Sequence, residues 1–285
     1  MIYLNGGLVE LSEGVIPVSD RGLTLGDGLF ETMRAYSGKV FCLTAHWDRL
    51  VEGLAALKIP NPLTHKEFEQ AINEVLAANK LSKSDASLRF TVTRGSGPRG
   101  LALPSQIQPT YFLTAAAYTP HAHKAIKVMI SEIRRNEYSI AASVKSVNYL
   151  DNIMARDEAT EKGFGEVILL NTKGFLAEAS TSNVFIVSEG RVLTPPLKDG
   201  ALAGITRKVV MDLCKELGFE LKEQSISIET LKAASEIFLT NSLFEIQSVA
   251  QLGEQSLPVE MSIADRLRAA YREKVDKLVN KAHNP

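Results

Sequence analysis

The sequence predicts a mixed α/β (α+β) fold in two domains, on three observations. At 285 residues the chain exceeds the ~100 to 200 residues of one ordinary domain. Runs with the period of a strand are interspersed with runs of helical period along its whole length. A turn-rich stretch, Tyr118-Thr119-Pro120-His121-Ala122-His123, separates two strand-like runs. We therefore expect a smaller N-terminal α/β domain over residues 1–118, a linker at 119–123 and a larger C-terminal domain over 124–285.

In the first domain, Ile2 to Leu4 and Gly7 to Leu11 read as short strands, followed by a turn-rich crossing at Pro17 to Gly22. Two glycines flank Asp27 before a strand that runs through Ala35. Thr44 is the expected N-cap of a helix whose apolar positions Trp47, Leu50, Leu54 and Leu57 keep helical spacing. Arg49 lies about 100° from Leu50 on that helix, off the buried stripe. Thr64 and Glu67 form a capping box ahead of Phe68, Ile72, Val75 and Leu76. Leu88, Phe90 and Val92 alternate with polar neighbours in a half-buried strand.

The second domain is predicted to open with a strand from Ile126 to Ile133 and a basic bend at Arg134 and Arg135. A helix from about Asn148 to Lys162 should turn Leu150, Ile153 and Met154 inward and close at Gly163. Strands are expected at 166–170, 184–187, 192–194, 220–223 and 236–240. A helix after Gly204 presents Val209, Val210, Leu213 and Leu217 on one face, and a last amphipathic helix covers Ile263 to Lys281.

Composition narrows the function. Thirty-two basic and thirty-three acidic side chains give a net charge of −1, which argues against a nucleic-acid surface or binding to an anionic membrane. No stretch approaches the ~20 apolar residues of a membrane span and no leader pattern opens the chain, so a cytoplasmic location is expected. Cys42 and Cys214 stand far apart, outside any metal-type spacing. His121 and His123 have no third ligand nearby, so no metal is expected. The glycines of Gly95-Ser96-Gly97-Pro98-Arg99-Gly100 match a dinucleotide fingerprint in spacing, but Pro98 and the following residues do not start a helix, so no pyrophosphate site is expected.

Four features carry candidate chemistry. Lys145 follows Ile140-Ala141-Ala142-Ser143-Val144, which favours a partly buried amine; desolvation makes a lysine nucleophilic and fit for imine formation, although most lysines are solvated charges. Glu178, 33 positions on, lies in a hydroxyl-rich turn with Ser180, Thr181, Ser182 and Asn183. A carboxylate there suits a protonated pyridine nitrogen, and a polar hairpin turn explains the same residues. Gly200 to Arg207 is a glycine-flanked loop in which Ile205 and Thr206 begin a helix, a natural phosphate site or an ordinary loop. Arg49 could bind a phosphate through two N–H groups or stand in solvent.

Together these residues resemble the class-IV aminotransferase family of pyridoxal 5′-phosphate (PLP) enzymes, which includes D-amino-acid transaminase, branched-chain aminotransferase and 4-amino-4-deoxychorismate lyase. The matches run from Ser19-Asp20-Arg21-Gly22 and Gly26-Asp27-Gly28-Leu29-Phe30-Glu31, through His46-Trp47-Asp48-Arg49-Leu50 and Lys145, to Glu178–Phe185, Gly204-Ile205-Thr206-Arg207 and Thr240-Asn241-Ser242. The resemblance implies the two-domain fold of the D-amino-acid transaminase type, with Lys145, in the C-terminal domain, as Schiff-base lysine and proton shuttle. It implies Glu178 as partner of the pyridine nitrogen, and Arg49, Ile205, Thr206 and Ser242 around the phosphate. Phe30, Arg94 and Arg99 are the implied substrate contacts, and a homodimer is the implied assembly.

Within the family, D-amino-acid transaminases carry a histidine two positions after the arginine matching Arg99, where this chain has Leu101. Branched-chain enzymes usually have a glycine before the asparagine-tyrosine pair, where this chain has Val147. The Arg94–Gly100 loop and the Asn241-Ser242-Leu243 turn look most like aminodeoxychorismate lyases, apart from Gln247-Ser248-Val249. The expected activity is a PLP-dependent lyase step of folate synthesis, 4-amino-4-deoxychorismate to 4-aminobenzoate and pyruvate, with Arg94 or Arg99 clamping a carboxylate. An aminotransferase of D-amino acids or branched-chain amino acids is the alternative.

Overall fold

A computed structural model of the chain describes residues 1–120, 124–258 and 263–280, in two compact units. The first holds Met1–Thr119 with Val144–Asn148 and the last described residues from Leu278; the second holds Pro120–Ser143 and Tyr149–Lys277. Residues 121–123 of the expected linker, with His121 and His123, lie outside the described residues, as does Lys281 of the expected last helix.

The first unit is built on strands β1 (Ile2–Leu4), β2 (Gly7–Val9), β3 (Gly28–Tyr36), β4 (Lys39–Val40), β5 (Ala86–Thr93) and β6 (Thr110–Ala117). They form an antiparallel sheet in the order β2-β1-β6-β5-β3-β4. Helices α1 (Arg21–Leu25), α2 (Leu43–Ala56) and α3 (His65–Ala78) accompany it. The period-two pattern of β5 turns Leu88, Phe90 and Val92 into one core with Leu50 and Leu54 of α2 and Phe68, Ile72 and Val75 of α3. Phe68 meets Phe90 edge-on at 4.9 Å between ring centroids. The capping box predicted for α3 forms, with Thr64 and Glu67 each satisfying the other's backbone N–H. Helix α2 departs from expectation: Cys42, in the left-handed region at φ 56°, turns the chain out of β4, so the helix begins at Leu43 and Thr44 lies inside it.

Lys145 groups with this unit, whereas the sequence places it in the second. The cause is backbone pairing. Phe30 N–H donates to the Lys145 carbonyl at 2.9 Å and Val147 N–H to the Gly28 carbonyl at 3.1 Å, so residues around Ser146 pair antiparallel with Leu29.

The second unit contains β7 (Ile126–Arg135), β8 (Glu166–Asn171), β9 (Leu176–Ala179), β10 (Asn183–Ser188), β11 (Arg191–Thr194), β12 (Leu221–Glu223), β13 (Glu236–Asn241), β14 (Glu245–Leu252) and β15 (Gln255–Ser256). Its helices are α4 (Ile140–Ser143), α5 (Leu150–Glu161), α6 (Ile205–Glu216), α7 (Ile228–Lys232) and α8 (Ile263–Asn280). The strands run β12-β11-β10-β13-β14-β7-β8-β9, with β15 beside β14. The pairs β14/β7, β7/β8 and β11/β12 are parallel and the rest antiparallel.

Three expectations need correction. Strand β7 continues through Arg134 and Arg135, which pair with β8, so the basic bend is part of a strand. Strands β9 and β14 are additional; β14 is broken by a register shift between Val249 and Gln251, which disrupts the alternation that would have announced it. In α5 the inward face is Asn152, Ala155 and Ala159, while Leu150, Ile153 and Met154 are 70%, 58% and 50% exposed. Small side chains let this helix lie close on β7 and β8, which leaves its large apolar residues on the opposite side. Among the described residues no helix is long and apolar enough to cross a membrane.

Candidate active site

In the first unit the candidate residues gather at the start of β3. Pairing to Leu29 and Phe30 holds the Lys145 backbone, and its half-buried side chain places Nζ 4.3 Å from the centroid of the Phe30 ring. The Arg89 guanidinium, from the neighbouring β5, lies 3.7 Å from the same centroid. Cations favour the negative face of an aromatic ring, so Phe30 organises an amine and a guanidinium together. Arg89 has no motif around it in the sequence; its position emerges only from the β3/β5 register, in which Phe30 opposes Thr91.

Arg49 is not solvated. Its Nε and Nη2 donate to Glu31 at 2.8 and 2.6 Å, and its side chain is 13% exposed. Glu31, on the core face of β3, also accepts from His46 Nδ1 at 2.7 Å. Burial pushes the Glu31 carboxyl up, but Arg49 and His46 outweigh it and hold it down at about 2. Burial pushes His46 below its ordinary value. An ionised Glu31 can only accept, so Nδ1 of His46 carries the hydrogen. Glu31 and His46 fix where the Arg49 guanidinium points, a role that hydrophobic periodicity does not reveal because both occupy core-facing positions.

Of the implied substrate arginines, the structure keeps Arg94 away from solvent. It is 3% exposed, grips both oxygens of Asp27 through Nε and Nη2 at 2.7 and 2.9 Å, and donates to the carbonyls of Leu57 and Lys58 at 2.8 and 2.9 Å. A buried cation on the last carbonyls of α2 is a helix cap, so Arg94 is corrected from substrate clamp to scaffold. Burial raises the Asp27 carboxyl, yet Arg94 and Arg21 outweigh it and hold it below its ordinary value. Arg99, five residues on, is exposed in an irregular loop.

In the second unit Glu178 is the third residue of β9, not a turn residue, and is 6% exposed. Oε2 accepts from Leu202 N–H at 2.8 Å and Oε1 lies 3.1 Å from Nη2 of Arg135. Arg135 is held by the carbonyls of Gly200 at 3.2 Å and Ala142 at 3.3 Å, and the extension of β7 brings it there. The same loop leads into α6, whose N-cap Gly204 gives no side-chain cap. Asn183 Nδ2 donates to the Leu202 carbonyl at 2.8 Å, and a Cβ on Gly204 would fall 1.9 Å from Asn183 Oδ1. A side chain at 204 would displace the Asn183 amide, and among the described residues the first N–H groups of α6, at Ile205 and the buried Thr206, have no side-chain partner. Ser242 is half-buried in the β13–β14 turn, where Asn241 accepts from Leu243 and Phe244 and donates to Thr181.

This donor set fits PLP. A carboxylate held by a guanidinium suits a pyridinium nitrogen, and a helix start without a side-chain cap suits a phosphate. The buried hydroxyls of Ser182, between β9 and β10, and of Thr240, in β13, have no hydrogen-bond partner among the described residues and are polar atoms a bound group would satisfy.

Comparison with known proteins agrees. The family model described as amino-transferase class IV matches residues 28–252. A putative branched-chain-amino-acid aminotransferase of Methanocaldococcus jannaschii is 39% identical over 253 residues, covering 88% of this chain and 87% of that protein. An aminodeoxychorismate lyase of Bacillus subtilis is 30% identical over 284 residues, covering 98% and 96%. The crystal structure of a branched-chain aminotransferase from Thermoproteus uzoniensis with norvaline superposes with a TM-score of 0.89 at 30% identity, covering 95% of this chain and 93% of that one. The chain belongs to the class IV aminotransferase family of PLP-dependent enzymes.

Proposed function

We propose that this protein is a PLP-dependent aminotransferase acting on an amino acid with an uncharged side chain. The observation that carries the reading is the Phe30 ring, with the Lys145 amine and the Arg89 guanidinium both placed on it. An amine to handle a proton and one planar cation to take a carboxylate are what an amino acid with a single carboxylate requires. Arg94, which would serve as a second clamp, is buried on Asp27 and the end of α2. The likeness to the branched-chain relative supports the same choice.

When bound, PLP acts as an electron sink that makes the hydrogen next to the substrate's amine acidic. In this proposal Lys145 would hold the cofactor covalently at rest; once the substrate's amine has displaced it there, the freed Lys145 amine would take that proton and deliver it back during the exchange. Glu178, held in place by Arg135 and Leu202 N–H, would face the pyridine nitrogen and favour its protonated form. The N–H groups of Ile205 and Thr206, the Ser242 hydroxyl and Arg49 receive the phosphate, with Glu31 orienting Arg49. Phe30 and Arg89 present the carboxylate side of the substrate to Lys145. The assembly proposed is a homodimer, for which the outward Leu150, Ile153 and Met154 of α5 supply an apolar face, and the location proposed is cytoplasmic.

The second reading is the lyase. It is favoured by exposed Arg99, which would supply the further cation a substrate with two carboxylates needs, and by likeness to aminodeoxychorismate lyase over nearly the full length. One experiment separates them. The holoenzyme is given a branched-chain amino acid with 2-oxoglutarate, and separately 4-amino-4-deoxychorismate with no keto acid. Glutamate formation in the first and no pyruvate in the second is the expected result; pyruvate release without an acceptor overturns the transaminase reading in favour of the lyase.

A further inference from the structure

The segment from Ser19 to Gly28 touches two other parts of the first unit. On one side it holds the segment of Lys145: Asn148 Nδ2 donates to the Gly26 carbonyl at 2.8 Å and Val147 N–H to the Gly28 carbonyl at 3.1 Å. On the other it holds the loop that follows β5. Arg21 N–H donates to the Gly95 carbonyl at 2.9 Å, and Ser19 Oγ meets Ser96 Oγ at 3.1 Å. Farther along, Arg21 Nη1 donates to the carbonyls of Gly100 at 3.1 Å and Ala102 at 3.4 Å.

The contrast in burial is informative. Arg21 is 4% exposed, yet the loop residues between and beyond those carbonyls, Leu101 and Leu103, are 83% and 49% exposed. Apolar packing does not fix a loop whose leucines point to solvent. A guanidinium does, because Asp27 anchors its Nε at 2.9 Å and is itself gripped by Arg94. The fit is close: a Cβ on Gly97 would stand 3.0 Å from Arg21 Cδ. The same short segment thus fixes the residues next to Lys145 and the loop bearing Arg99 and Leu101.

We propose that Arg21 is a positioning residue for substrate selectivity, setting the conformation of the 99–103 loop relative to the segment of Lys145. The proposal deepens the functional reading above, and for the loop's contact with substrate it rests on the role the family resemblance implies for Arg99. Two variants test it. Arg21→Gln removes the cation, while Arg21→Lys keeps a charge for Asp27 but lacks the fork that reaches the two loop carbonyls. Trypsin cleavage at the exposed Arg99–Gly100 bond is followed by mass spectrometry on the holoenzyme, and KM and kcat are measured for the amino acid substrate. Both variants are expected to cut there about tenfold faster or more, since local opening governs cleavage. KM should rise several-fold with kcat nearly unchanged, on the order of the loss of uniform binding, and the absorption of bound PLP should stay as in the wild type. If Arg21→Gln fails to fold, Arg21→Lys decides. Unchanged cleavage overturns the proposal, as does faster cleavage with unchanged KM and unchanged substrate preference. A wild type that exchanges no amino groups refutes the function proposed above, and the cleavage result then still decides whether Arg21 holds the loop.

Discussion

Replacing Glu31 by glutamine tests the polar cluster inside the first unit's core. Glu31 is 1% exposed and accepts from Arg49 twice and from His46 once, so the amide would turn an NH2 group toward donors and leave the guanidinium without its counter-charge. The carboxyl falls from an ordinary 4.5 to about 2 on folding; at ~1.4 kcal/mol per tenfold this corresponds to about 3 kcal/mol at pH 7. Breaking one partner of a buried ion pair costs a similar ~3–5 kcal/mol. The folded value is the depressed one, so the contribution is complete above 4.5 and is lost as pH falls through about 2; at pH 3 less than half of it should remain. Urea unfolding of wild type and Glu31→Gln at pH 7 and pH 3 measures both. A loss below ~0.5 kcal/mol at pH 7, or one that does not shrink on acidification, refutes the argument.

Other outcomes follow from the same geometry. Arg94→Gln should lower stability by about 2–5 kcal/mol, because it uncaps α2 and leaves Asp27 with one arginine, while changing substrate KM little; a large KM effect in a protein of wild-type stability would restore Arg94 as a substrate contact. Gly204→Ala places a Cβ against Asn183 and should weaken PLP binding by about tenfold or more in a fluorescence titration; unchanged affinity would show that the start of α6 does not hold the phosphate. Ile153→Glu with Met154→Glu should convert a dimer into a monomer in size-exclusion chromatography with light scattering, and a monomeric wild type would refute the homodimer.

Much of the first unit was legible because its elements obey one rule each. The capping box at Thr64, the alternation through Leu88, Phe90 and Val92, and the helical stripe of α2 each follow from local chemistry and reappear in the structure. What stayed hidden depended on pairing between distant segments. Arg89 reaches Phe30 through a strand register, Arg135 reaches Glu178 through a strand longer than its apolar run, and Lys145 joins the first unit through its own backbone bond to Phe30 and that of Val147 to Gly28. Arg94 misled because it opens the glycine-rich Arg94–Gly100 loop, and only Asp27 and the end of α2 lying against it show that it is buried. The α5 face misled for a different reason: burial there is decided by how closely a helix of alanines packs on a sheet, while the large apolar residues turn outward.

The central claim is that Lys145 carries the cofactor. Purified protein loaded with PLP, reduced with borohydride and digested, should yield one peptide bearing the reduced cofactor, attached at Lys145. Lys145→Ala, which is expected to lose the visible absorption of the lysine-bound cofactor, should yield none. An adduct on another lysine, or an absorption band that survives in Lys145→Ala, would contradict the account.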